Sequence, residues 1–215
     1  RGYLGEVNGK AGIKADLGIK FMGLREVANQ AYPKAFSQEF LQVLHSFVEG
    51  VNAYARAHPK EIRLKKLFPL KPQDLIAGYL LGLMEITNTR DDLEKIISGK
   101  IAKDIPKEQT RGSNAIAVNA NKTKNGDTYL AINSHQPMEG WYSWYEAHLV
   151  SDEGLNILGA TFPMGVTIFH GANSYLGWAH TVNHADFSDI YHLEMHPTKK
   201  NYYKFDGQWL PLEKK

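Results

Sequence analysis

The residues with the most chemistry to offer are a serine at the head of one apolar run and a histidine at the end of the next. They stand in Arg111-Gly112-Ser113-Asn114-Ala115-Ile116-Ala117-Val118 and Asn133-Ser134-His135-Gln136-Pro137. A Ser hydroxyl is a poor nucleophile until a base takes its proton, so whatever the fold places beside Ser113 decides its use. Between the two segments lies Asn125-Gly126, flanked by the apolar runs 115–118 and 129–132. That dipeptide is a strong signal for a tight hairpin, because both central residues tolerate positive φ. A turn centred there pairs Ser113 near residue 138 and His135 near residue 116. The two are then about three positions apart on the ladder, roughly 10 Å at about 3.3 Å per residue, a gap that a bulge could close. On residue type alone, Ser after Gly reads sooner as a turn residue than as a nucleophile, and His135 sooner as a hydrogen-bonded His at a strand end than as a catalytic one.

The elements that must position this pair change character near residue 100. Phe40, Leu44, Phe47, Val48, Val51 and Tyr54 recur at helical spacing after Ser37 and the early acid Glu39, with Pro59 closing the run. A second helix is expected from about Pro72 and Asp74, and residues 75–86 are apolar on nearly every face, as for a helix sandwiched inside a larger body. Residues 95–110 are polar and lysine-rich, with Gly99 and Pro106, and read as a surface linker. Short strands are expected beyond it at 155–161, 166–169, 175–182 and 190–195, with a closing hairpin across Asp206-Gly207. The organisation is α+β, a helical segment followed by antiparallel sheet.

Composition narrows the function classes. At 215 residues and 43% apolar content the chain can bury a sizeable core as one domain or two small ones. Its 25 basic and 23 acidic residues nearly balance, and its basic runs are pairs such as Lys65-Lys66 and Lys199-Lys200, so no nucleic-acid partner is implied. The absence of Cys removes thiol nucleophiles, disulfide scaffolds and Cys-ligated zinc. No apolar run reaches the ~18 residues of a membrane span and no signal peptide is present. Arg1 and the closing Glu213-Lys214-Lys215 read as the ends of an excerpt from a longer protein.

The order of helix pair, polar spacer, Gly-Ser-Asn strand, Asn-Gly hairpin and Asn-x-His-x-Pro resembles the penicillin acylase family of N-terminal nucleophile hydrolases. Its acyl-homoserine lactone and aculeacin acylase branch is most similar. The likeness runs through Gly50-Val51-Asn52-Ala53-Tyr54, Ser113 to Val118, and Asn133 to Pro137. It continues through Leu158-Gly159-Ala160, Gly177-Trp178-Ala179-His180-Thr181-Val182-Asn183, and 202–209 with its Asp-Gly turn. Any one of these motifs alone is weak, and their order is what makes the signal strong.

The resemblance implies an αββα fold and a division into three parts. Residues 1–95 would be the helical end of a small chain, 96–112 a spacer, and 113–215 the start of a large chain. It implies self-cleavage of a zymogen at Gly112-Ser113, which frees the Ser113 α-amino group. That amine has a reference pKa of roughly 7.7–8.0 and can serve as the base, whereas the same nitrogen in a peptide bond cannot. Ser113 would then attack the amide of a small N-acylated substrate, forming an acyl-enzyme that water hydrolyses. His135 would orient the amine and hydroxyl, and the Val182 backbone N–H would donate to the oxyanion. A second oxyanion donor, an Asn side chain, is expected beyond Lys215; loss of such a donor costs about 10² to 10³ in rate, so the chain alone is expected to be inactive or nearly so. The remainder of the precursor is then a partner, and a periplasmic or secreted location and a role in antibiotic or acyl-homoserine lactone metabolism come by family analogy.

The substrate side departs from the family pattern. Gln136 stands where many members place Phe, and His170 falls beside Phe169 in a region that lines the acyl site of relatives. A fatty acyl chain could lie against Phe162, Met164 and Phe169, three residues that equally suit a sheet core. No cofactor is required for the chemistry. Asp186, the Ser188 carbonyl and Asp189 align with a calcium site of penicillin G acylases, with Asp91, Asp92 and Glu94 as candidate further acids; turn acids are the alternative. A His-ligated metal hydrolase is a rival, prompted by nine His and the pairs His180-x3-His184 and His192-x3-His196. A β-rich, non-catalytic binding domain with a decayed site is another.

Overall fold

The computed structural model describes residues 2–87, 89, 92–93, 96, 112–183 and 189–213. Residues 1–184 and 185–215 form two compact units. The expected spacer 96–112 lies outside the described residues except at its two ends.

The first unit opens with helices. α1 (Gly5–Met22) breaks at Gly9, and the Asp16 carboxylate folds back to accept the Leu4 and Gly5 N–H groups at 2.9 and 2.8 Å. α2 spans Leu24–Ala31 and α3 Gln38–Ala57. The Ser37 hydroxyl caps α3 by accepting the Phe40 N–H at 3.2 Å, satisfying one of the donors a helix start leaves unpaired. The Glu39 carboxyl is held below its ordinary range by its own backbone N–H and then by Ser37. α4 (Pro72–Ile86) starts on Asp74, whose side chain accepts the Lys71 N–H at 2.8 Å and pairs with Arg25 of α2.

Ala28, Leu41, Leu44, Val48, Leu70, Leu75 and Ile76 form the buried core of α2, α3 and α4. α4 is not buried on every face as expected. Leu75 and Ile76 face this core, whereas Tyr79 is 42% and Leu83 55% exposed. Its neighbours on those other faces are turns of the sheet region: the Tyr79 hydroxyl accepts the Val166 N–H at 3.0 Å, Tyr142 donates to the Gly82 carbonyl at 3.3 Å, and Trp141 lies over Gly78 and Gly82.

Asn52, in the middle of α3, explains one motif structurally. Its amide donates to the Leu70 carbonyl at 3.0 Å and accepts the Leu70 N–H at 2.7 Å. Leu70 is buried and precedes α4, so this clamp fixes how the chain returns to the core. Asn52→Ala is expected to cost about 1–3 kcal/mol by leaving both backbone groups unpaired, read as a lower urea midpoint at unchanged slope.

The sheet region begins with β1 (Asn114–Val118) antiparallel to β2 (Tyr129–Asn133). Asn114 pairs with Asn133, which sets Ser113 against Ser134 rather than residue 138. The expected register is therefore corrected, because the turn is not a tight one centred on Asn125-Gly126. Residues 119–128 connect the strands through a 3-10 turn at Ala120–Lys122. Gly126 has positive φ but Asn125 does not; the Asn125 amide instead donates to Asp127 at 2.7 Å and to the Tyr129 hydroxyl at 2.5 Å.

β3 (Tyr145–Val150), β4 (Asn156–Thr161), β5 (His170–Ala172) and β6 (Gly177–Trp178) form an antiparallel sheet in that order. The expected strands 166–169 and 175–182 are shorter or displaced. Gly165 closes a turn onto the Phe162 carbonyl at 2.8 Å, so regular pairing starts only at His170, and the second run keeps strand form at Gly177–Trp178 alone.

In the second unit β7 (Tyr202–Phe205) and β8 (Gln208–Pro211) form the expected hairpin, with Asp206 and Gly207 both at positive φ. Residues 190–195 are not a regular strand; Met195 alone bridges to Tyr203. No described helix is long and apolar enough to cross a membrane.

Candidate active site

Ser113 is half-buried at the head of β1, directly after the exposed Gly112. Its hydroxyl donates to the Ser134 carbonyl at 3.4 Å, longer than an ordinary O–H···O bond. One position on, the Asn114 amide donates to His135 Nε2 at 2.9 Å. The corrected register thus brings the Ser and His segments to the same end of the β1–β2 ladder without a bulge. His135 itself contacts Asn114, the neighbour of Ser113.

The backbone at His135 is unusual. Its φ is 50°, a left-handed conformation uncommon for a side chain with a Cβ. Asn133 holds it there by accepting the His135 N–H on its own side chain at 3.0 Å, an Asx turn. Such backbone, at a cost of about 1–3 kcal/mol, persists where the surroundings over-determine it, and functional sites are where it concentrates.

Behind this turn lies an aromatic cluster. Trp144 stacks on Phe162 with centroids 4.5 Å apart and planes at 13°, and meets His170 edge-on at 4.7 Å. Phe169 packs against Phe162, His170 and His180 at 5.2, 5.1 and 4.8 Å. Three of the expected pocket residues, Phe162, Phe169 and His170, are therefore together. Met164 sits at φ 66° in the turn between them, and Gln136 is half-buried without a hydrogen bond to the cluster. Val182 is half-buried in the irregular segment after β6, and no hydrogen bond joins it to Ser113.

His170 is buried, and burial followed by repulsion from His180 pushes its pKa below the ordinary imidazole value. Its Nδ1 accepts the His180 N–H at 3.0 Å, and the neutral ring therefore carries its proton on Nε2. His180 Nδ1 in turn donates to the Phe169 carbonyl at 2.9 Å. A depressed folded-state pKa stabilises the fold above the unfolded value, near 6.5, and that contribution is lost as the pH falls below it. His170→Asn, which keeps an acceptor and cannot titrate, is expected to flatten the fall in urea midpoint between pH 7 and pH 5.

Two contributors escape sequence reasoning. Trp144 Nε1 donates to Ser134 Oγ at 3.0 Å, linking the cluster to the turn that faces Ser113. Ser134 stands inside the quoted Asn-x-His-x-Pro motif, yet neither residue has a spacing that ties it to the other.

Of the implied calcium ligands, Asp186 and Ser188 lie outside the described residues and Asp189 is exposed. Asp92 is buried; Asp91 and Glu94 are outside the described residues. Among the described residues no three His, Asp or Glu gather as a metal site. His184 is outside them, and His196 Nδ1 accepts the Thr198 and Lys199 N–H groups at 3.1 and 3.0 Å, a turn cap.

The profile of the penicillin amidase family matches residues 1–215. The chain belongs to that family. Membership carries the N-terminal nucleophile hydrolase fold, consistent with the helices followed by antiparallel sheets. Among similar proteins, the acyl-homoserine lactone acylase PvdQ of Pseudomonas fluorescens is 38% identical over 104 residues, 48% of this chain and 13% of the relative. The PvdQ of Pseudomonas putida is 35% identical over 102 residues, 47% and 13%. The aculeacin-A acylase of Actinoplanes utahensis is 31% identical over 97 residues, 45% and 12%. The matched stretches thus span only about an eighth of those penicillin amidase relatives.

Proposed function

We propose that this chain carries the nucleophile of an amidohydrolase that cleaves the amide of an N-acylated small molecule, and that 1–95, 96–112 and 113–215 are the small-chain end, the spacer and the large-chain start of its precursor. The register of β1 on β2 carries the reading: it sets a half-buried Ser hydroxyl beside the strained turn at His135. In maturation, Ser113 Oγ attacks the Gly112 carbonyl carbon, the hydroxyl proton passes to the Ser113 nitrogen as the Gly112–Ser113 C–N bond breaks to leave a terminal amine and an ester, and water hydrolyses that ester to a Gly112 carboxylate and the restored Ser113 hydroxyl. In turnover, that amine takes the hydroxyl proton while Oγ attacks the substrate carbonyl. The Val182 N–H faces the oxyanion, the leaving amine receives the proton, and water releases the acid. His135, held by Asn114, orients the amine. An apolar acyl chain lies against Phe162, Met164 and Phe169, with Gln136 and His170 as the polar members of the pocket.

The names of the relatives make acyl-homoserine lactones and aculeacin A the compounds to try first. The test is the denatured intact mass of the full-length product, followed by release of acid from those compounds. Two chains, one beginning at Ser113, together with turnover that rises through about pH 7.7–8.0, support the assignment. A single uncut chain overturns it in favour of a β-rich binding domain. A structural calcium ion held by Asp186, the Ser188 carbonyl and Asp189 is part of the same proposal, and calorimetric titration with calcium alone that gives no heat removes it. Export to the periplasm or medium is checked by cell fractionation.

A further inference from the structure

Among the described aromatic residues around Phe162, Trp144 alone donates a hydrogen bond to the Ser134–His135 turn, and it reaches it at one atom. We infer that Trp144 is a positioning residue for the Ser113 hydroxyl, acting through Ser134; this rests on the reading of Ser113 as the nucleophile. Ser134 is the pivot. Its side-chain oxygen accepts the Trp144 indole N–H at 3.0 Å, and its backbone carbonyl accepts the Ser113 hydroxyl at 3.4 Å. The residues on either side already fix the rest of this turn: Asn133 closes it onto the His135 N–H, and His135 takes the left-handed backbone that follows. The Asn133 bond to the His135 N–H holds the peptide unit that also carries the Ser134 carbonyl, and the indole contact is its second side-chain tether, the one that anchors Ser134 from outside the turn.

The tether is itself well held. Trp144 immediately precedes β3, its ring stacked on Phe162 and braced edge-on by His170, whose orientation is fixed by the His180 N–H. Fixing the ring fixes the direction of its single donor, since Nε1–H lies in the ring plane. The carbonyl orients the Ser113 hydroxyl and does not take its proton. By engaging the hydrogen, it leaves the oxygen lone pairs available for attack, first on Gly112 and then on substrate. A misdirected hydroxyl spends less time in an attacking geometry, so the loss should fall on the rate of chemistry and not on substrate binding.

The experiment uses the full-length precursor as wild type, Trp144→Phe, Ser134→Ala and the double variant. It follows the appearance of the chain starting at Ser113, then kcat and KM of the matured protein. Trp144→Phe keeps an aromatic ring beside Phe162 and removes the donor together with the five-membered half of the indole; Ser134→Ala removes only the acceptor. Each single change is expected to slow self-cleavage and lower kcat by about 3- to 10-fold, roughly the worth of one neutral hydrogen bond, with KM within about twofold. The double variant should be no slower than the slower single one, because both delete the same bond. Ser134→Thr, which restores the hydroxyl, should recover most of the rate and carries the test alone if Trp144→Phe fails to fold. Singles that mature and turn over at the wild-type rate, or effects that multiply in the double variant, overturn this inference while leaving the acylase reading intact. A wild type that never cuts at Gly112-Ser113 overturns both.

Discussion

Ser113→Ala in the full-length protein is expected to leave one uncut chain with no measurable acid release, and Ser113→Cys to restore part of the cleavage. Ala removes the only atom assigned to attack, so both the self-cleavage and the later turnover lose their nucleophile together. Deleting the nucleophilic serine of an unrelated serine hydrolase lowers kcat by on the order of 10⁶, far beyond what a disturbed hydrogen bond produces. The fold has little reason to respond. The Ser113 hydroxyl makes one long bond, to the Ser134 carbonyl, and the residue is half-buried at a strand end. The Ala variant should therefore keep its far-UV circular dichroism and its unfolding midpoint to within about 1 kcal/mol. Intact mass of both variants reads the chemistry, and thermal unfolding reads the fold. An Ala variant that is still cut before residue 113 would place the cleavage chemistry elsewhere.

The parts of the fold that were legible in the sequence are those in which neighbours along the chain are also neighbours in space. α3 follows from the Ser37 cap and the apolar spacing of Phe40, Leu44 and Val48, and the last hairpin from an Asp206-Gly207 pair that does take two positive φ angles. The register of β1 on β2 is not legible, because Asn125-Gly126 has the composition of a tight turn. Its Asn side chain bonds to Asp127 and Tyr129 instead, and the turn forms within a longer connection. The opposition of Ser113 and Ser134 follows from that longer connection and from nothing local in the sequence. The aromatic cluster shows a different limit. Phe162, Phe169 and His170 could be picked out by type, but type does not distinguish a pocket wall from a sheet core. Trp144 has no periodic relation to Ser134, and only the folded chain joins them.

Gly159→Ala is expected to be the most damaging single-methyl change in the sheet, and its effect should reach the site. Gly159 of β4 pairs with Gly171 of β5, and the two strands approach so closely that an added Cβ at 159 would lie 2.1 Å from the His170 carbonyl oxygen, 2.5 Å from Ile168 Cγ2 and 2.7 Å from Gly171 Cα. Two of these are backbone atoms, so a side-chain rotation cannot relieve the clash and β5 itself must shift. Overpacking of this kind costs about 1–3 kcal/mol, and the backbone contact places this change at the upper end of that range. The shift would move His170, which begins β5, braces Trp144 and accepts the His180 N–H. The variant should thus lose stability and also slow self-cleavage at Ser113, although residue 159 touches neither Ser113 nor Ser134. Gly50 in α3 is the matched control, because an added methyl there meets nothing within 4 Å. Unfolding midpoints of both Ala variants, measured beside the rate of chain cutting, decide the matter. If Gly159→Ala unfolds at the same urea concentration as Gly50→Ala, the close approach of β4 and β5 is not part of the folded protein. If it is destabilised yet matures at the wild-type rate, His170 and Trp144 do not carry the displacement to Ser113.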